Sequence, residues 1–135
     1  MESRNVVEDL RPQRKDFVIA AEGASGMLAA SRLQKTQLNH LIAVCGEATC
    51  TQEIENYLRY QEARDVWPKE TANQVIVPMQ EVLKKHEITD DAQRVAAWRL
   101  YAVFLTRAFT YRKAQRNTQR DGQTSAHQEK RDKAR

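Results

Sequence analysis

Hydrophobic residues are densest between positions 95 and 113, where the sequence reads VAAWRLYAVFLTRAFTYRK. At 3.6 residues per turn, Trp98, Ala102, Leu105 and Phe109 fall on one line, and the flank beside that line is also apolar. Only a narrow outer strip remains, formed by Arg99, Val103, Thr106, Arg107 and Thr110. A helix this apolar must be covered by other helices on more than one side, so the pattern predicts the central helix of a bundle.

Three helices are predicted before this segment. In KTQLNHLIAVCGEA, Leu38, Leu41, Ile42 and Cys45 repeat at the spacing of one helix face, and the hydroxyl of Thr36 is expected to cap the first turn. A further helix starts at Thr49 or Thr51 and carries its apolar face on Ile54, Tyr57, Leu58 and Ala63. The next runs from Pro68, which suits a first turn, to Lys85, and Pro78 within it predicts a kink or a split.

The beginning of the chain is less regular. Residues 16–22 and 27–34 predict short helical pieces, separated at Gly23 and Gly26 by the best candidate hinge in the sequence. Thr89 or Asp90 caps the long last helix, and Asp90 and Asp91 suit its positive N-terminal end. No alternating strand pattern is present. The predicted fold is all-α, a small bundle of about five helices around a long C-terminal helix.

Composition divides the chain into three parts. Residues 1–15 are polar and predict an irregular arm, residues 16–115 form the helical bundle, and residues 116–135 form a polar, basic tail that lacks the apolar residues to fold alone. The formal charge of the whole chain is +4, and residues 114–135 carry +3 of it. Because the net charge of the remainder is small, nucleic-acid binding has to be judged from where the arginines lie.

The cysteines and the first residues predict the compartment. Cys45 and Cys50 are five residues apart, which on a continuous helix puts them on different faces and too far apart for a disulfide. They also lack a zinc-type spacing, and both observations favour a reduced, cytoplasmic setting. The first residues, MESRNVVEDLRPQRKDF, contain no apolar run, so we expect no signal peptide and no membrane association.

Catalytic motifs are missing from the sequence. It contains no glycine-rich phosphate loop, no HExxH, no CxxC and no Gly-x-Ser-x-Gly. His40, His86 and His127 lie in separate segments, so we expect no metal site and no cofactor. The sequence therefore predicts a protein that is not an enzyme.

Basic residues mark the ends of the apolar segments. Their usual role is a solvated or locally paired charge, here Arg59 with Glu55 and Arg64 with Glu62 or Asp65. As a set they favour a surface that contacts phosphates, since such contacts need distributed cations and no base-reading apparatus. The candidate RNA-binding residues are Lys35, Arg59, Arg64, Arg107, Arg112 and Lys113.

Several aromatic residues could stack on bases, although aromatic residues at helical spacing among apolar ones usually belong to the core. Tyr60 and Trp67 lie off the apolar stripes and are the best placed for stacking or for contact with a partner.

Three blocks, in this order, resemble a known family: KTQLNHLIAVCGEA, IENYLRYQEAR and RLYAVFLTRAFTYRK. The family is the small helical subunit of type III-A CRISPR effector complexes, which function in antiviral defence. The matching residues are Thr36-Gln37-Leu38, Tyr57-Leu58-Arg59 with Tyr60 to Arg64, and Thr110-Tyr111-Arg112-Lys113, and the resemblance covers about residues 33 to 113. Asn39 and Ala63 depart from the pattern, which usually has arginine and glycine there.

The resemblance implies a non-catalytic subunit of a type III CRISPR ribonucleoprotein. Such subunits stack as a filament against the backbone and large subunits and contact the backbone of guide RNA and target RNA without sequence specificity. The alternative is a helical protein–protein adaptor without nucleic-acid binding, which would use Tyr60 and Trp67 for contact. A DNA-binding regulator is disfavoured, because no short helix-turn-helix pair with an exposed polar recognition helix is visible.

Overall fold

The computed structural model describes the backbone of residues 10–133 and the side chains of residues 10–119. A 3-10 turn at Arg11–Gln13 leads into five α-helices, and no strand occurs in this part of the chain. The helices are α1 (Arg14–Ala30), α2 (Lys35–Glu47), α3 (Thr51–Ala63), α4 (Thr71–Lys85) and α5 (Asp91–Lys133). The all-α fold with a long C-terminal helix is confirmed.

Helix α5 forms the centre of the bundle. Trp98, Ala102, Leu105 and Phe109, the line read from the sequence, are all buried, and α5 contacts each of the other four helices. The prediction of a narrow outer strip is wrong for Thr106, which is buried. Its hydroxyl donates to the Ala102 carbonyl 2.8 Å away, which satisfies the polar group inside the helix.

Side-chain contacts at both ends of α5 define how the helices run. The α1 residue Asp16 lies 2.7 Å from His86, just before α5, and Lys113 of α5 bonds to the connection that follows α1. Helices α1 and α5 therefore run in the same direction. Helix α2 runs the opposite way, since Arg99 of α5 donates to the carbonyl of Cys45 near the end of α2.

Helix α3 returns to the end of the bundle where α2 begins. There Arg32, in the α1–α2 connection, bonds to Asp65 in the α3–α4 connection at 2.8 Å. We call this end, which also contains residues 109–117 of α5, the Lys113 end. The opposite end, where α1 begins and α4 meets α5, is the Asp16 end.

The predicted hinge at Gly23 and Gly26 is wrong, because α1 is one continuous helix across both glycines. Its buried face includes Phe17, Ala21 and Leu28, which belong to the core. A glycine inside a helix costs only about 1 kcal/mol relative to alanine, which is less than the packing of such a face contributes.

Helix α4 also differs from its prediction. It begins at Thr71 and not at Pro68, because Glu70 adopts a left-handed conformation with a φ of 72°. Pro78 does not split the helix, whose residues Val75, Ile76 and Met79 are buried on either side of it. Their burial holds the helix together where proline removes one backbone hydrogen bond.

Two helix starts depend on side chains. Gln34, not Thr36, caps α2, and the Gln34 N–H donates to Gln37 Oε1 at 2.9 Å. At the start of α5, the Asp90 carboxylate accepts the Gln93 N–H at 3.0 Å, so the predicted Asp90 cap is confirmed.

The boundaries of the predicted arm and tail remain predictions. Residues 1–9 lie outside the described part of the chain, but Leu10 is already buried in the core. Past residue 115 the backbone of α5 continues as helix to Lys133. Cys45 is a buried free thiol and Cys50 a half-buried one beyond the end of α2.

Candidate nucleic-acid interface

Two adjoining grooves open at the Lys113 end. The larger, of about 390 Å³, is lined by polar and basic side chains of α5 and by the end of α1: Ala29, Ala30, Ser31, Lys113, Arg116, Asn117 and Gln119. The second, of about 290 Å³, is lined by Gln34, Lys35, Phe109, Thr110, Lys113, Ala114 and Asn117. No acidic residue lines either groove in the described part of the chain. Such a surface is suited to an anionic ligand.

Lys35 and Lys113 are the two predicted residues that the fold brings into one groove. Lys35 is exposed as the first residue of α2, because the Gln34 cap starts the helix there. Helix N-termini carry partial positive charge, which adds to the charge of the lysine. Lys113 lies between the two grooves and lines both.

Lys113 also has a structural role. Its Nζ donates to the carbonyl of Ser31 at 3.2 Å and to the carbonyl of Leu33 at 3.0 Å. The same atom lies 5.0 Å from the centre of the Phe109 ring. Lys113 thereby fixes the α1–α2 connection to α5 and holds both grooves in shape.

Arg116 is a basic groove residue that was not among the candidates. It is exposed on α5, three residues after Lys113, and lines the larger groove. Residues three apart share a helix face, so extending the predicted helix beyond Gln115 would have revealed it.

Arg32, also not among the candidates, lies beside the grooves in the α1–α2 connection. It donates to the carboxylate of Asp65 at 2.8 Å and to the carbonyl of the same residue at 2.7 Å. Asp65 has a φ of 63°, and this pair of bonds stabilises its left-handed conformation. No local pattern predicts a bond between residues 33 positions apart.

The local ion pairs predicted for Arg59 and Arg64 do not form among the described side chains, and their acidic partners make other contacts. Glu55 accepts a bond from Gln80, Glu62 accepts the backbone N–H of Ala72, and Asp65 pairs with Arg32. Both arginines are exposed on or just after α3.

The two arginines have different neighbours. Arg59 donates to the side-chain oxygen of Asn73 at 3.2 Å, whereas the guanidinium carbon of Arg64 lies 5.3 Å from the centre of the Tyr60 ring. Arg64 follows α3 and lies next to Asp65 at the Lys113 end. Arg59 instead faces α4.

Arg107 and Arg112 lie on α5 but do not line the grooves. Arg107 is exposed, whereas Arg112 is half-buried and its guanidinium carbon lies 5.9 Å from the centre of the Tyr111 ring. The Nε of Arg112 is buried and has no hydrogen-bond partner among the described residues. Consecutive residues of a helix point about 100° apart, so Arg112 and Lys113 face different sides.

The aromatic residues differ from expectation at one position. Trp67 is fully buried in the α3–α4 connection and cannot contact a partner, whereas Tyr60 is 56% exposed. Tyr111 is 41% exposed. Trp98 and Tyr101 pack against each other in the core, with ring centres 5.3 Å apart.

Among the described residues, no three His, Cys, Asp or Glu side chains are grouped so that they could hold a metal ion. His127 lies outside the described side chains. His86 contacts Asp16 at 2.7 Å, and Lys85 donates to the same carboxylate oxygen at 3.1 Å. These two hydrogen bonds, first the one with His86, lower the pKa of Asp16 below its ordinary value.

Comparison of the chain with protein-family models, with curated proteins and with solved structures found no match. Within the part that the structure describes, no helix has the length and apolar character needed to cross a membrane.

Proposed function

We propose that this protein is a non-catalytic small subunit of a type III CRISPR ribonucleoprotein that contacts the backbone of guide and target RNA. One observation carries the RNA-binding part of this proposal. At the Lys113 end, Lys35, Lys113 and Arg116 line two adjoining grooves that contain no acidic residue among the described side chains. Phosphate groups are the anions that such distributed cations contact in nucleic acids, without reading the sequence.

The three sequence blocks support the remaining part of the proposal. Their resemblance to small subunits of type III-A complexes implies stacked copies of this chain beside the backbone and large subunits. The second block ends at Arg64 and the third at Lys113, and both residues lie at the Lys113 end. The segments that resemble the family therefore supply Lys35 and Lys113 of the basic grooves, and Arg116 lies just beyond the third block.

Salt-dependent RNA binding tests the proposal. We would compare the unmodified protein with the double variant Lys35→Ala/Arg116→Ala, using fluorescence anisotropy of a labelled RNA at several salt concentrations. Both residues are exposed, so the fold should be preserved. For single strands, each lost phosphate contact reduces the slope of log K against log[salt] by about 0.7, so the double variant should lose about 1.4.

The matched control is Lys15→Ala/Lys84→Ala. Both lysines are exposed at the Asp16 end, and the variant changes the net charge by the same amount. It should bind RNA with nearly the slope of the unmodified protein. Equal effects of the two double variants would refute a site at the Lys113 end, and no RNA binding at low salt would refute RNA binding altogether. Co-purification of guide RNA and larger subunits from the native source tests the assignment to a complex.

A protein–protein adaptor is the second candidate, and an apolar groove between α1 and α4 favours it. Ile19, Ala20, Pro78 and Val82 form its apolar part, and Ile19 is 55% exposed. The charged residues Asp16, Glu81 and Lys85 also line it. Binding of a protein partner that is insensitive to salt, together with no RNA affinity at low salt, would support the adaptor over the ribonucleoprotein subunit. Substitution Ile19→Asp should then abolish the binding of the partner.

A further inference from the structure

Asn117 connects the two grooves at the Lys113 end. Among the described residues, only Lys113 and Asn117 line both grooves. They are four residues apart on α5, so their side chains share one face of the helix. Lys113 and Asn117 therefore form the ridge between the grooves, and a strand that crosses from one groove to the other passes over them.

The two ridge residues differ in what they can still bind. Lys113 directs two of its N–H donors to the carbonyls of Ser31 and Leu33. Asn117 is exposed, and its side chain makes no hydrogen bond with any described residue. Its amide contains N–H donors as well as a carbonyl acceptor. Asn117 is thus the uncharged hydrogen-bonding group on the ridge that remains available to a ligand.

Cations flank Asn117 on both sides. Lys35 lines only the second groove, and Arg116 lines only the larger one. The proposed function has these cations contact RNA phosphates, and in an RNA strand a ribose lies between successive phosphates. A backbone that runs from Lys35 to Arg116 crosses the ridge, so it brings a sugar to the amide of Asn117.

The end of α1 adds hydrogen-bond acceptors to the larger groove. Ala29 and Ala30, the last two residues of α1, line this groove. The last carbonyls of a helix have no N–H partner within it. Acceptors beside donors suit a hydroxyl group, which both donates and accepts, and suit a phosphate less, because a phosphate only accepts. The ridge and the larger groove therefore offer what a sugar hydroxyl needs.

We propose that Asn117 hydrogen-bonds a ribose 2′-hydroxyl, so that the site at the Lys113 end selects RNA over a backbone that lacks this group. The 2′-hydroxyl both donates and accepts, and it is the group by which a protein distinguishes RNA from DNA. The wide, shallow minor groove of an A-form duplex displays these hydroxyls, so the contact is compatible with paired guide and target RNA. The inference rests on the proposed function and adds to it a residue that recognises the sugar.

The test uses two RNA duplexes of the same sequence and length, one unmodified and one with fluorine in place of every 2′-hydroxyl. The fluorinated duplex keeps its A-form and its phosphates but cannot donate this hydrogen bond. In fluorescence anisotropy, the unmodified protein should bind the RNA duplex about fivefold more tightly, which is the effect of one hydrogen bond. Asn117→Leu should bind both duplexes equally, with the affinity that the unmodified protein has for the fluorinated one.

The matched control is Gln115→Leu, which removes an exposed amide from the same helix at a position that lines neither groove. It should keep the preference for the RNA duplex. Both leucine variants leave the net charge unchanged, so the salt dependence of binding should stay that of the unmodified protein.

The outcomes separate the sugar contact from the proposed function. Equal binding of the two duplexes by the unmodified protein, with Lys35→Ala/Arg116→Ala still reducing the salt slope, would refute the sugar contact and leave the proposed function standing. A preference that survives in Asn117→Leu would overturn the role of Asn117. Absence of binding to either duplex at low salt would instead refute the proposed function and the sugar contact with it.

Discussion

Replacing Lys113 by methionine should destabilise the fold, although the residue lies at a surface groove. Methionine keeps most of the apolar stem but removes the ammonium group that donates to the carbonyls of Ser31 and Leu33. Hydrogen bonds from charged groups contribute about 1.5–3 kcal/mol each when they are well shielded. These two are only partly buried and share one ammonium group, so we expect a loss of about 2 kcal/mol in the free energy of unfolding.

Urea denaturation followed by circular dichroism would measure this loss. For a chain of this size, a change of about 2 kcal/mol lowers the urea midpoint by roughly 1 M. The variants Lys35→Met and Arg116→Met are matched controls, because both native side chains are exposed and each variant removes one positive charge. They should change the free energy of unfolding by no more than about 0.5 kcal/mol.

A midpoint for Lys113→Met that equals those of the two controls would refute the structural role of Lys113. The comparison also determines how its RNA binding is interpreted. If Lys113 shapes the grooves, its substitution weakens binding partly by displacing the α1–α2 connection. Lys35 and Arg116 are therefore the better reporters of phosphate contact.

Three further predictions follow from the described contacts. The hydrogen bond to His86 contributes most to the lowered pKa of Asp16. The ionised Asp16 carboxylate therefore stabilises the fold fully above its ordinary pKa of 3.8, and this stabilisation is lost as the pH falls through the lowered pKa. Asp16→Asn should abolish this part of the acid sensitivity of the urea midpoint, and an unchanged pH profile would contradict it. Gly23→Ala and Gly26→Ala should each stabilise the protein by about 0.5–1 kcal/mol, because a Cβ at either position meets nothing within 4 Å. A lowered melting temperature in either variant would show that the glycine is needed. Burial raises the pKa of the Cys45 thiol to about 12, so this thiol should resist alkylation at pH 8 until the protein unfolds, as mass spectrometry of the labelled protein can test.

The candidate site could be predicted only in part. Lys35 and Lys113 lie at the ends of apolar segments, which marks them in the sequence, and the fold brings them to one groove. Composition assigns Arg116 to the polar tail, whereas the helix carries it about one turn beyond Lys113. The signal that could have included it is the helical spacing, since residues three apart share one face of a helix.

Trp67 illustrates a different limit. It lies between two helices, so no helical periodicity indicates whether its side chain points inward. Burial of a residue in a connection depends on the path of the chain, here from α3 to α4. Glu62 contributes to that path, since its carboxylate accepts the N–H of Ala72 at the start of α4. A contact of this kind links residues that no local pattern relates.

The helical class and the central position of α5 follow from the periodicity of the apolar residues. Trp98, Ala102, Leu105 and Phe109 repeat with the helical period, and a face so apolar is stable only when other helices cover it. The grouping of basic residues at the Lys113 end depends instead on how the helices pack. The directions of five helices bring the α1–α2 connection, the end of α3 and residues 109–117 together, through contacts such as Arg32 with Asp65. Periodicity records which side of a helix is buried, but it contains no information on which helix ends become neighbours.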